Sequence, residues 1–435
     1  MNASAPAIPG PLDGLTVLRF AHAFESGGGT ERYLDDLDRA LLERSALTVV
    51  RLHLTRQAPP AAPIETVLGR GRLVLHALPI ALGGDARATA PSEPVLRPWL
   101  KRLIRDCVLY PSLGWRFFGE KFTARMRLAP EAGQAVGAGA AATGIFRARR
   151  VDLVVLHFFG GADAEEVVQA ARAAGVPFVV LNHYSNDRFL HLAIRKHARL
   201  AAGVAGVNGL ALPDYVRVGF ANLSDGIDTE FFRPAHARPL SARPRHPVVL
   251  LPARVTREKG QHDLVRAAAA LRRDGVDCTL AFAGRVDSSG FVDELKAEIT
   301  RAGLEGRVLF LGNLTIEELR DWYAASSVVA FPTYHHEGLG RVIVEAQAME
   351  RPVIAYATGG VAEGINHGHT GYLLTTGDVV GLTARLRELL AAPNLRGALG
   401  AKGRAAAEGR FSLAALADRH EVFYRRVIGT TSNHR

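Results

Sequence analysis

Cysteine is nearly absent: Cys107 and Cys278 are two in 435 residues, too few for a disulfide framework, and neither has a neighbour at metal-ligand spacing. No apolar run approaches the ~20 residues that span a bilayer. The opening residues, Met-Asn-Ala-Ser-Ala-Pro-Ala-Ile-Pro-Gly-Pro-Leu, lack both a basic start and an apolar core, so no secretory signal is expected. No internal repeat recurs at a 20–50 residue period. These absences point to a reducing, cytoplasmic environment and to a chain that is soluble or peripheral to a membrane.

What is present is strand-helix alternation in two rounds, and 435 residues suit two domains of about 200 residues each. Near-continuous Val/Leu content predicts buried parallel strands at Leu15–Phe24, Ala46–Leu54, Arg72–Leu78, Asp152–His157, Phe178–Asn182 and Gly203–Val207. A proline-rich basic stretch, 233–247, reads as a linker. The second round predicts strands at Val248–Pro252, Cys278–Ala283, Val308–Leu311, Val328–Phe331, Pro352–Tyr356 and Tyr372–Leu374. Helices are predicted between them near Gly260–Arg273, Phe291–Ala302, Ile316–Ala324 and Val380–Ala391, and a last helix at about Leu413–Val427. Two doubly wound domains bind ligands at the carboxyl ends of their strands.

The densest signal is at 331–363. The strand Val328–Phe331 runs into a loop with Glu337, Gly338, Leu339 and Gly340, and a helix with Glu345 follows. The glycines let backbone approach a ligand, and the helix N-terminus favours an anion. Carboxylates repel phosphate, so Glu337 and Glu345 are suited to accept from hydroxyls. Eight residues at ~100° each leave two helical positions about 80° apart, able to flank one ligand. Phosphate beside hydroxyls describes a nucleotide sugar. A solvated helix also carries glutamates eight apart, but the whole string of strand, loop, helix, Arg351-Pro352 break, strand and Gly359-Gly360 turn is far rarer.

Glu337-Gly-Leu-Gly through Glu345-Ala-Gln-Ala, with Pro352-Val-Ile-Ala and Gly359-Gly-Val-Ala-Glu363, resembles the signature of the retaining family 4 glycosyltransferases of the GT-B fold. Leu250-Leu-Pro-Ala-Arg254 with Lys259-Gly260, Asp225-Gly-Ile-Asp through Arg233-Pro234, and Gly28-Gly-Thr-Glu-Arg32 resemble further elements of that family in its order. The resemblance implies an α/β chain with two Rossmann-like domains facing a central cleft. It implies an acceptor-side domain over 1–232, a linker over 233–247, a nucleotide-sugar-binding domain over 248–410, and a helix crossing back, with a short tail, over 411–435.

The implied chemistry moves a sugar from a nucleoside diphosphate sugar to a hydroxyl of a glycan or lipid-linked glycan, in envelope polysaccharide or lipopolysaccharide synthesis. Cations beside the departing diphosphate stabilise the transition state, a role that suits Arg254 and Lys259. By resemblance Glu345 holds the ribose hydroxyls, Glu337 the transferred sugar, and the amides of Gly338, Leu339 and Gly340 meet sugar and phosphate. Gly28 and Gly29 present amides to the diphosphate; a dinucleotide loop would instead require glycine where Arg32 stands. His183 matches a family histidine near the reacting sugar, although a strand-end histidine such as His183 or His157 is as often structural. His335 and His336 suit pocket lining or loop surface alike. No cofactor or metal is expected: Asp36 and Asp38 have a metal-sugar-nucleotide spacing but read as the solvated face of a helix. Asp225 and Asn208 depart from the family pattern, at positions expected not to touch the donor set. The alternatives are an epimerase or a catalytically silent scaffold of similar fold.

Charge adds a second message. Between Arg97 and Arg127 eight basic residues stand against two acidic ones, beside Trp99, Leu100, Leu103 and Ile104 at helical spacing and Trp115, Phe117, Phe118 and Phe122. That composition suits an anionic membrane surface and equally a covering helix on the first sheet. No nucleic-acid recognition motif accompanies it.

Overall fold

The computed structural model describes residues 12–21, 29–55, 62–79, 137–157, 162–183, 200–208, 220–287 and 289–432. The segment 97–127 and Gly28 lie outside the described residues.

Among the described residues eight strands form the first sheet: β1 (Thr16–Ala21), β2 (Thr48–Thr55), β3 (Ile64–Leu68), β4 (Gly71–Pro79), β5 (Leu153–His157), β6 (Phe178–Asn182), β7 (Gly203–Gly206) and β8 (Phe220–Asn222). Their spatial order is β3-β4-β2-β1-β5-β6-β7-β8, and every pairing is parallel except β3 with β4. Alternate residues serve opposite faces, as the pleat requires. Val17, Leu153 and Val155 join one core, while Leu18, Phe20, Val154 and Leu156 join the other. The second core takes α2 (Ala138–Ala148) and α3 (Ala162–Ala173). The first takes α1 (Gly29–Arg44) and residues from α11 (Leu413–Ser432), so the chain's last helix completes the core begun by its first.

The second sheet holds β9 (Val248–Pro252), β10 (Thr279–Ala283), β11 (Val308–Gly312), β12 (Val328–Phe331), β13 (Val353–Tyr356) and β14 (Gly371–Leu374). Their order is β11-β10-β9-β12-β13-β14, all parallel. Around this sheet lie α4 (Gln261–Arg273), α5 (Ser289–Arg301), α6 (Ile316–Ala325), α7 (Arg341–Ala348), α8 (Val361–Gly364), α9 (Val379–Ala391) and α10 (Pro393–Phe411). Strand order reverses between β1 and β5 in one sheet and between β9 and β12 in the other. Crevices open at such switch points, beyond the carboxyl ends of the strands.

Two doubly wound α/β domains are therefore present, as expected. The expectation missed β3 and β8, which edge the sheet, and all of α10. It carried the first strand to Phe24, whereas β1 ends at Ala21, with 22–28 outside the described residues.

Candidate active site

Three segments converge at the second switch point. Beyond β9 the chain passes Arg254 into a 3-10 turn, Arg257–Lys259, which ends on left-handed Gly260 at φ 77° and enters α4. Beyond β12 it passes through Glu337-Gly-Leu-Gly, and beyond β13 it turns at Gly359-Gly360. Lys259 is only 9% exposed, and its ammonium pairs with Glu337 while lying 5.8 Å from the centre of the Phe331 ring. A buried ammonium is tolerable only because a carboxylate and a ring face replace its water. Arg254 is 56% exposed and pairs with Asp287, which also accepts from Arg285. Lys259 and Glu337 are thus brought together, while Arg254 is held by its own acidic anchor, Asp287.

Glu345 is placed differently. The helix α7 begins at Arg341, after left-handed Gly340, so Glu337 lies in the loop and the expected helical angle between the two carboxylates does not apply. Glu345 is wholly buried. Its Oε2 accepts from the Tyr323 hydroxyl at 2.9 Å, and its Oε1 lies 2.9 Å from Arg32 Nη1 and 3.8 Å from Arg341 Nε. Burial first, and Glu345 second, push the Tyr323 phenol well above its ordinary pKa, so it remains a donor.

Arg341 ties the two domains together. Its Nη2 meets Asp36 at 2.6 Å and its Nη1 meets Asp225 at 2.9 Å. Burial opposes its charge, but Asp225, Asp36 and Glu345 hold its pKa above the ordinary value. The expectation that Asn208 stands clear of the donor set is overturned, whereas Asp225 meets Arg341, outside that set. Asp225 anchors the first residue of α7, and Asn208 Nδ2 donates to the Gly338 carbonyl at 2.6 Å. The solvated-face reading of Asp36 and Asp38 falls too. Asp36 also pairs with Arg39 at 3.0 Å, and Asp38, 1% exposed, is shared by the buried Arg19 and by Arg51.

The glycines serve packing as well as approach. A Cβ on Gly360 would lie 1.4 Å from the Gly338 carbonyl oxygen, and one on Gly338 would lie 2.7 Å from the carbonyl of His183. The loop is clamped between the β13 turn, where Gly360 N–H donates to the Glu337 carbonyl at 3.0 Å, and the first domain. Leu339 is buried in the core of the second domain.

In the first domain, Gly29 opens α1. His183 and His157 are both buried, and His157 Nδ1 and His183 Nε2 are 2.9 Å apart. The Tyr33 ring meets His183 edge-on at 4.9 Å, and the Tyr33 hydroxyl meets His420 Nε2 at 2.9 Å. Burial lowers His183 to about 3 and holds His157 and His420 well below the usual histidine value, so all three are neutral. His335 and His336 are exposed loop residues. Sequence reasoning missed Arg32, Tyr323 and Arg341 as site residues. For Arg32 and Arg341 the signal was their place inside the quoted motifs, and Tyr323, outside those motifs, carried none.

The fold and this loop define a GT-B architecture. Anabaena Alr3699/HepE, solved with UDP, superposes with a TM-score of 0.62 over 93% of this chain and 98% of that one, at 19% identity. A glycosyltransferase from Rickettsia africae gives 0.65 over 95% and 98%, at 16% identity. The chain matches, over residues 232–406, the family described as glycosyl transferases group 1, and its fold is GT-B. Over 194 residues it is 33% identical to the GDP-mannose-dependent alpha-(1-6)-phosphatidylinositol monomannoside mannosyltransferase of Mycolicibacterium smegmatis, covering 42% of this chain and 50% of the relative. Over 221 residues it is 29% identical to the lipopolysaccharide core mannosyltransferase LpcC of Rhizobium leguminosarum, covering 49% and 62%. The matched region thus spans half to three-fifths of these relatives.

Proposed function

We propose that the chain is a retaining glycosyltransferase of family 4, moving a sugar from a nucleoside diphosphate sugar to a hydroxyl of a glycan or lipid-linked glycan. The observation that carries this reading is the part-buried Lys259–Glu337 pair at the β9/β12 switch point, set against the Gly338–Gly340 loop. The donor diphosphate takes over Lys259 and is joined by Arg254. Glu337, released, accepts from hydroxyls of the transferred sugar, and Glu345 from those of the ribose. The bond from the anomeric carbon to the diphosphate oxygen breaks, the bond to the acceptor oxygen forms on the same face, and the acceptor proton leaves on the diphosphate. Charge on the leaving group is met by Lys259 and Arg254, so the reading requires no metal. His183 closes the acceptor side and orients rather than titrates, since it stays neutral.

The mannosyltransferase relatives support a mannosyl donor as the first to test, and their lipid and lipopolysaccharide substrates support an envelope acceptor. Among the described residues no helix is long and apolar enough to cross a membrane. We take the basic aromatic segment 97–127 as the contact with an anionic membrane at the cytoplasmic face. Cosedimentation with anionic liposomes, lost when Lys101, Arg102 and Arg105 are neutralised, tests that.

The central test is a thermal-shift screen against UDP, GDP, ADP and dTDP sugars, followed by turnover with the donor that stabilises. A bound donor raises apparent stability. Lys259→Ala and Glu337→Ala should each abolish transfer in a folded protein; undiminished turnover in either rejects the site.

A further inference from the structure

Among the described residues, the three neighbours of the Glu345 carboxylate are not equivalent. Tyr323 and Arg341 belong to its own domain, and both are buried. Arg341 is also pinned by Asp36 and Asp225. Arg32 comes from α1 in the other domain and is 31% exposed. Its guanidinium nitrogen is 2.9 Å from Oε1, yet Oε1 is a buried oxygen that receives no hydrogen bond. The contact is therefore an ion pair with poorly aligned N–H groups, on the one neighbour of the three that has solvent to swing into.

We propose that Arg32 sets donor affinity: its guanidinium occupies Glu345 in the nucleotide-free protein, and the ribose hydroxyls of the nucleoside diphosphate displace it. This rests on the reading of Glu345 as the ribose acceptor. A hydroxyl supplies Oε1 with an aligned hydrogen bond, while Arg341 and Tyr323 keep the carboxylate oriented. Helices α1 and α7 remain joined through Arg341 and Asp36, 2.6 Å apart, so the exchange is a side-chain swing rather than a parting of the domains. A binding site that must first expel an internal partner shows reduced apparent affinity, and removing the partner restores it.

Calorimetry with UDP and GDP, each compared with its 2′,3′-dideoxy counterpart, tests this on wild type, Arg32→Ala, Arg32→Lys, Glu345→Gln and the Arg32→Ala/Glu345→Gln double variant. Whichever ribonucleotide binds wild type should bind Arg32→Ala about three- to tenfold more tightly. Arg32→Lys, which keeps a cation in place, should stay near wild type. The gain should vanish for the dideoxy ligand and in the Glu345→Gln background, because the two residues act through one contact. Unchanged or weaker binding by Arg32→Ala, with the preference for ribose intact, overturns the role of Arg32 alone. Equal affinity of wild type for the ribo and dideoxy ligands removes the ribose reading of Glu345, and this proposal with it.

Discussion

Taking one oxygen from Tyr323 would leave Glu345 Oε2 buried without its hydrogen-bond donor. An unsatisfied buried acceptor costs about 1–3 kcal/mol. Tyr323→Phe is expected to lower stability by that amount in urea unfolding and to weaken nucleoside diphosphate binding, since the carboxylate loses its orientation. Gly360→Ala is expected to do more damage, because its Cβ would overlap the Gly338 carbonyl and only backbone can give way. Loss of nucleotide binding with a lowered melting temperature is the expected outcome. Gly397→Ala, inside α10 with nothing within 4 Å of a Cβ, is the matched control and should be neutral or stabilising. At this scale the sequence made Lys259 and Glu337 legible because motif and chemistry agree. Arg32, Asp36 and Asn208 were illegible as contacts because their partners lie far away in the chain: Asp36 and Arg341 are 305 residues apart.

Helix α7 is held by charge as much as by packing. Arg341 at its first turn carries Asp36 and Asp225, both mostly buried. Breaking a buried pair from one side costs about 3–5 kcal/mol, so Arg341→Met should lose stability of that order by denaturant titration and loosen the two domains, seen as a larger radius of gyration in solution scattering. Helix α11 supplies Leu416, Ala417, Phe423, Tyr424 and Val427 to the first domain's core, and a chain ended at Ser412 should be poorly soluble and bind a hydrophobic dye. The parallel strands were readable because both faces are buried and their apolar runs are nearly unbroken. The strand β3 was not, because it is an exposed antiparallel edge with polar residues between Ile64 and Val67. Nor was α10: alanine and glycine fill it, its apolar face is thin, and the small residues Gly400 and Gly403 do the packing that larger side chains would have advertised.

For the molecule as a whole, the buried histidines set its response to acid. His157, His183 and His420 are neutral when folded but take a proton near pH 6.5 when unfolded. Above that pH they leave stability unchanged. Below it the unfolded chain gains protons that the folded chain refuses, and each histidine lowers stability by up to about 1.4 kcal/mol per pH unit, His183 until about pH 3. Urea midpoints should therefore fall steeply from pH 7 to pH 5; a flat profile would mean that these rings ionise without unfolding.

The pairing of α1 with α11 also orders events at the ribosome. Strand β8, the last of the first sheet, ends at Asn222, and α11 does not begin until Leu413. At about 5–20 residues per second, the apolar side of α1 and its sheet waits roughly 10–40 s for its cover while the second domain is made. The domain that starts first finishes last, and a chaperone or ribosome surface is its expected companion in the interval.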